Sequence, residues 1–225
     1  MIVQRLLFLS LLTSLNGLTA SAQHPHTTQL PAPVDRHRRL DDSALLDLVE
    51  RQTFQFFWDG AEPNSGMAAE RVHMDNNYPE HDRRTIATGG SGFGLMAILA
   101  AIHRKYISRE QGLKRFEKIV SFLEKADRFH GAWPHWLNDE TGHVKPFGRD
   151  DDGGDLVETC YLLQGLLCVR QYFSEGNAKE KALASRIGAL WSGVDFDWYR
   201  NGGQNVLFWH WSPTHGWTMN FPVHG

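Results

Sequence analysis

The run Asp151-Asp152-Gly153-Gly154-Asp155-Leu156-Val157-Glu158 packs four acidic side chains into eight residues of a 225-residue sequence. Asp155 and Glu158 stand three apart at what reads as the start of a helix, so they occupy neighbouring positions on one face. Two carboxylates held close together raise the proton affinity of one of them, while the positive end of the helix dipole favours the anion. A pair divided in this way is suited to acid/base work, and Asp151, Asp155 and Glu158 are the candidate catalytic residues. The competing explanation is capping, since an aspartate after Gly-Gly commonly satisfies the free N–H groups of a helix start. Asp152 is a candidate for that purely structural duty. Gly153-Gly154 would also let the backbone approach a ligand closely.

Aromatic residues flank this run. Trp133-Pro134-His135-Trp136 lies upstream on the same irregular stretch; Phe208-Trp209-His210-Trp211 and Gly216-Trp217 lie downstream. These tryptophans stand in polar, Gly- and His-rich segments rather than in apolar helical patterns, which favours a ligand surface. An indole face matches the apolar C–H face of a pyranose, and His or Asn can bind its hydroxyls. Trp133, His135, Trp136, Asn205, Trp209, His210, Trp211 and Trp217 are therefore the candidate substrate-binding residues, with core packing the alternative for any single ring.

Other chemistries find less support. His130/His135 and His210/His215 are each five apart rather than the four that aligns ligands on a helix, and no H-E-x-x-H occurs, so neither a metal nor a cofactor is expected. Gly89-Gly90-Ser91-Gly92-Phe93-Gly94 lacks the G-K-[ST] ending of a phosphate loop and follows no strand; tight helix-to-helix packing explains it better. The 23 basic and 26 acidic residues leave a net charge of −3 with no dense Lys/Arg run, which argues against nucleic acid as a partner.

The first residues follow the grammar of a secretory signal: Arg5, an apolar stretch from Leu6 to Leu15, then Ala20-Ser21-Ala22. Residues 1–22 are expected to be a signal peptide cleaved before Gln23, which implies a periplasmic or secreted protein. The apolar stretch is broken by Ser10, Thr13 and Ser14 and falls short of the roughly 20 residues of a membrane span, so no stable membrane insertion is expected after cleavage. Residues 23–40, rich in Pro, His, Thr and Arg, read as a flexible linker, and 41–225 as the folded part. A monomer is expected.

Five helices must position the site. The first carries Leu45, Leu46, Val49, Phe54, Phe56, Phe57 and Trp58, with Asp42 or Ser43 as N-cap. A polar loop, 59–88, precedes the second, from about Ser91 to Tyr106. Ser108 with Gln111 forms a capping box for a third reaching about Arg128. An irregular stretch, 129–154, leads to a fourth from about Asp155 to Tyr172, apolar around most of its circumference and so buried on more than one side. Asn177 with Glu180 opens the fifth, through about Trp191. Cys160 and Cys168, eight apart on the fourth helix, are separated by about 12 Å along its axis, too far for a disulfide. They are expected to be buried free thiols. No alternating strand pattern is visible, and alternating short and long connections are those of paired helices in a toroid.

On these motifs the sequence resembles the bacterial glucoamylase-like domain proteins of glycoside hydrolase family 144. The resemblance runs from Leu45 to the last residue. It rests on Arg51-Gln52-Thr53-Phe54-Gln55-Phe56-Phe57-Trp58, on Gly90-Ser91-Gly92-Phe93-Gly94 and on Ala126-Asp127-Arg128-Phe129-His130-Gly131-Ala132-Trp133-Pro134-His135-Trp136. It continues through Asp151-Asp152-Gly153-Gly154-Asp155-Leu156-Val157-Glu158-Thr159 and Gly202-Gly203-Gln204-Asn205-Val206-Leu207.

The resemblance implies an all-α (α/α)6-barrel, present here as roughly its N-terminal half. It further implies endo-hydrolysis of linear β-1,2-glucan, without a metal and with inversion, and places Asp151, Asp155 and Glu158 among the acidic residues of the cleft. It also implies that the family's general acid belongs to a Tyr-Asn-Glu segment following the position of Gly225. Spacing points the same way: inverting enzymes hold their two carboxyl groups roughly 6.5–9.5 Å apart, whereas helix positions three apart place their Cβ atoms only about 5–6 Å apart. A non-catalytic glucan-binding remnant is the alternative from another class. A polysaccharide lyase on a similar toroid would want Arg or Lys for a uronic acid, and the acidic cleft argues against it.

Overall fold

Local sequence decides where each helix begins. In the computed structural model, which describes residues 40–223, α1 spans Asp42–Trp58, α2 Thr88–His103, α3 Arg109–Leu123, α4 Leu156–Phe173 and α5 Ala178–Ser192. The expected signal peptide, and all but the last residue of the expected linker, lie outside the described residues. Asp41, in extended backbone, caps α1 by accepting the Ala44 N–H at 2.8 Å, so neither Asp42 nor Ser43 is the cap. Both expected capping boxes are present, Ser108 with Gln111 on α3 and Asn177 with Glu180 on α5. The α3 helix stops at Leu123, short of Arg128, because the chain turns so that the Asp127 N–H can bond the Gly142 carbonyl.

The loops are more ordered than their composition suggests. Strand β1 (Thr85–Ala87) pairs antiparallel with β2 (Trp136–Asn138), with Thr85 opposite Asn138 and Ala87 opposite Trp136. Bridges from Ala69 to Ile86 and from Leu137 to Val144 widen this ladder. Strand β3 (Gly154–Asp155) pairs with β4 (His210–Trp211), Gly154 opposite Trp211 and Asp155 opposite His210. These two- and three-residue ladders are too short to print an alternating pattern, yet they tie both long loops to one end of the helices. Among the described residues the architecture is all-α, and no helix is long and apolar enough to cross a membrane.

The core lies between α2 and α4, which α3 and α5 cover from outside. Leu95, Ile98 and Ile102 meet Leu162, Leu166 and Val169, backed by Phe116, Ile119, Val120, Leu183 and Ile187. Each such side chain contributes about 1.5–3 kcal/mol on burial. The helices approach backbone to backbone: a Cβ at Gly92 would collide with the Tyr161 carbonyl, and one at Gly165 with the Gly92 carbonyl. The expectation that this glycine run serves helix packing holds, but a strand does precede it, since β1 ends at Ala87.

The thiols differ from expectation. Cys160 and Cys168 are free but exposed. With Tyr161, Gln164 and Tyr172 they occupy a side of α4 that the neighbouring helices leave uncovered, so this helix is apolar over more of its surface than it buries.

Candidate functional site

Asp155 ends β3 and, with φ −104° and ψ 108°, stands as the N-cap of α4. Its Oδ1 accepts the Glu158 N–H at 2.9 Å. Its Oδ2 accepts the indole N–H of Trp209 at 2.7 Å and lies 3.2 Å from His135 Nδ1. The carboxylate is fully buried and fully engaged, which is how a buried charge is tolerated. Capping therefore falls to Asp155. Asp152, the candidate for it, instead accepts the hydroxyls of Ser212 and Thr214 and pins the turn after β4.

Glu158, one turn into α4, reaches across to α2, where its Oε2 accepts the Gly89 N–H at 2.8 Å. Gly89 has to be glycine, since a Cβ there would strike this oxygen. Burial pushes the Glu158 carboxyl above the usual range, and the charges of Asp155 and Glu70 add to this; His135 and the Gly89 N–H oppose it. His135 is also raised. Burial works against its protonation, but the bond to Asp155 and the charges of Glu158, Asp155 and Asp151 outweigh it. With Nδ1 directed at Asp155, Nε2 is the nitrogen left to bind or exchange a proton.

Behind this pair, Asp151 and His210 are both buried, with Oδ1 2.9 Å from Nε2. The approach is close but not aligned as a hydrogen bond, and neither the Asp151 oxygens nor the His210 ring nitrogens find a hydrogen-bond partner among the described residues. His210, a candidate for binding a sugar hydroxyl, is completely buried and has no surface for one.

The aromatic candidates divide by burial. Trp133 is enclosed in the core, its indole N–H on the Leu123 carbonyl and its face against the Arg128 guanidinium, so it cannot be a platform for sugar. Trp136 is partly exposed, and its N–H bonds Glu70 Oε2 at 3.1 Å. Trp209 serves Asp155. Trp211 packs edge-on against His130 and Trp198, and Trp217 against Tyr199 and Phe208, forming a partly buried cluster behind β4. Asn205 is exposed in the loop between the Trp198–Arg200 turn and β4. Gly153 and Gly154 make their close approach to the protein itself, at the Trp211 carbonyl and the Tyr199 hydroxyl, rather than to a ligand.

Three residues of this wall carry no distinguishing signal for the site in the sequence. Glu70 sits in the polar loop, where nothing distinguishes it from its neighbours. Gly89, in a glycine run, points in sequence to helix packing alone. Phe147, 52% exposed, lies face to face with His135 at 5.1 Å between ring centroids. Among the described residues no group of three or more His, Cys, Asp or Glu side chains is arranged to hold a metal ion. What the wall does offer is a carboxyl and an imidazole, both with raised proton affinity, beside exposed aromatic rings.

No protein-family model matches the chain. It is 49% identical over 188 residues to the exo β-1,2-glucooligosaccharide sophorohydrolase (non-reducing end) of Parabacteroides distasonis, a match covering 83% of this chain and 25% of that protein. The endo-β-1,2-glucanase of Chitinophaga pinensis, solved with sophorotriose and glucose, matches at TM-score 0.81 and 67% identity, over 83% of this chain and 44% of that one. The β-1,2-glucanase of Parabacteroides distasonis matches at TM-score 0.76 and 49% identity, over 83% and 26%. The chain thus spans a quarter of the curated relative's length and under half of the Chitinophaga structure's. Over 83% of its length this chain is therefore similar in sequence and fold to β-1,2-glucanases, sharing two-thirds of its aligned residues with the Chitinophaga enzyme, and its helices match part of that all-α fold.

Proposed function

We propose that this chain provides one wall of the cleft of a β-glucan hydrolase, acting within β-1,2-linked glucan and with inversion at the anomeric carbon. The observation that carries the reading is Glu158, held by the Gly89 N–H on one oxygen and set in the field of His135, with burial raising its proton affinity. Such a carboxyl can hold a water or a sugar hydroxyl. Asp155 is not its partner in an acid/base pair: both oxygens are occupied and neither reaches solvent. In this reading Asp155 orients His135, and Asp151 adds negative potential from behind. Export through residues 1–22 would bring the protein to a polysaccharide substrate.

The test is incubation of the protein with linear β-1,2-glucan, following binding by affinity electrophoresis and products by chromatography and anomeric NMR. Retardation in β-1,2-glucan but not in starch, abolished by Glu158→Gln, is expected, with α-anomeric ends on any product formed. Unchanged mobility of the wild type would overturn the proposal. Retardation without products would favour a glucan-binding protein over a hydrolase.

A further inference from the structure

Phe147 occupies the loop between β2 and β3, and that loop is built to hold it in place. On one side, the Lys145 N–H bonds the Trp136 carbonyl at 3.0 Å, while its ammonium bonds the Arg83 carbonyl at 2.7 Å and Thr85 Oγ1 at 2.6 Å. On the other, the Asp151 N–H closes a turn onto the Gly148 carbonyl. The ring between these anchors stacks on His135 with 12° between planes and meets Trp136 edge-on at 79° and 5.2 Å. Half of the residue nevertheless remains exposed. The imidazole lies against one face and the indole against one edge, and among the described residues no further aromatic ring or guanidinium packs on the opposite face.

An anchored aromatic ring with a free face, beside the imidazole that contacts Asp155, matches the apolar C–H face of a pyranose. Trp136, its edge partner, donates its indole N–H to Glu70, whose charge in turn acts on Glu158, so the rings neighbour these two carboxyls. We infer that Phe147 is a substrate-positioning residue, whose outer face stacks a glucosyl ring of the β-glucan next to the unit held at Glu158. The inference rests on the proposed function and extends it to a residue that neither charge nor hydrogen bonding would single out.

The test is calorimetric titration of the wild type, Phe147→Ala, Phe147→Leu and Phe147→Tyr with linear β-1,2-linked glucooligosaccharides, with thermal melts confirming that the exposed position tolerates each change. The Ala and Leu variants are expected to bind about five- to tenfold more weakly, the loss of one aromatic contact, and Tyr to bind within about twofold of wild type. Wild-type affinity in both Ala and Leu variants would overturn the inference while leaving the proposed function standing. Retained affinity in Leu but not Ala would also overturn it, since Phe147 would then serve only as an apolar cover for His135. If the wild type binds none of these sugars, the proposed function and the inference fall together.

Discussion

Replacing Glu62 by Gln should change the pH dependence of stability more than any other single carboxyl substitution in the described residues. Glu62 lies just after α1, 5% exposed, in a turn where its N–H bonds the Met67 carbonyl and its carbonyl accepts the Gly66 N–H. Among the described residues its Oε2 finds no hydrogen-bond partner. The nearby Asp139 carboxylate is engaged by the backbone and side-chain N–H groups of Asn64 and the N–H of Ser65, and the Lys145 ammonium is engaged by Arg83 and Thr85. Burial, followed by the Asp139 charge, pushes the Glu62 carboxyl from 4.5 to about 7 against the weaker pull of Arg84 and Lys145. The folded protein thus keeps a proton that the unfolded chain releases. Stability is highest below the unfolded value, falls as pH rises from 4.5 toward 7, and levels beyond. At about 1.4 kcal/mol per tenfold change in proton affinity, the full cost is about 3 kcal/mol, and about 2 kcal/mol if the site relaxes or admits water. Gln keeps the shape without the charge. Urea unfolding at intervals from pH 4.5 to 8.5 should show Glu62→Gln level with or slightly below wild type at the acid end and about 2–3 kcal/mol more stable above pH 7. Glu158 and His135 titrate in both proteins and cancel in the difference. A difference flat across that range would refute the reasoning.

Four further outcomes are expected. Trp133→Ala should cost about 3–5 kcal/mol in urea unfolding, whereas Trp136→Ala, at a partly exposed ring, should cost much less. Asp155→Ala removes a cap and strands the Trp209 N–H, for about 2–4 kcal/mol. In the same variant, NMR should show His135 titrating lower, so the stability that its protonation contributes below its folded value is lost at a lower pH. Gly89→Ala drives a methyl into the Glu158 carboxylate; loss of that N–H should raise the Glu158 titration further, visible by carboxyl NMR. Both Cys160 and Cys168 should react with a thiol reagent in the folded protein, two equivalents without denaturant.

What the sequence disclosed was what short-range chemistry controls. The boxes at Ser108/Gln111 and Asn177/Glu180 close over three residues, so their residues alone announce them. Asp155 and Glu158 share a helix start for the same reason, and both capping and acid/base use were visible there. The choice between them depended on Trp209, 54 residues away in sequence, and on His135, 20 residues away, neither of which local spacing can place. Trp133 and Trp136 flank the same Pro-His pair and look equivalent as text. Only the direction of the chain into β2 sends one inward and the other to the surface. Cys160 and Cys168 misled in the opposite sense, because an apolar helix surface does not say which neighbours are there to cover it.

The contact between Gly92 on α2 and Gly165 on α4 has a consequence for how this site can vary. Where two helices touch through bare backbone, their separation is fixed by peptide dimensions and has no side chain to stretch or shrink. Gly89 and Glu158 lie on those same two helices, so the span across which they meet is set by a ruler without adjustable marks. Loops around the site can change length without altering that span. A side chain at either Gly92 or Gly165 would meet the opposing backbone and force that reach to change.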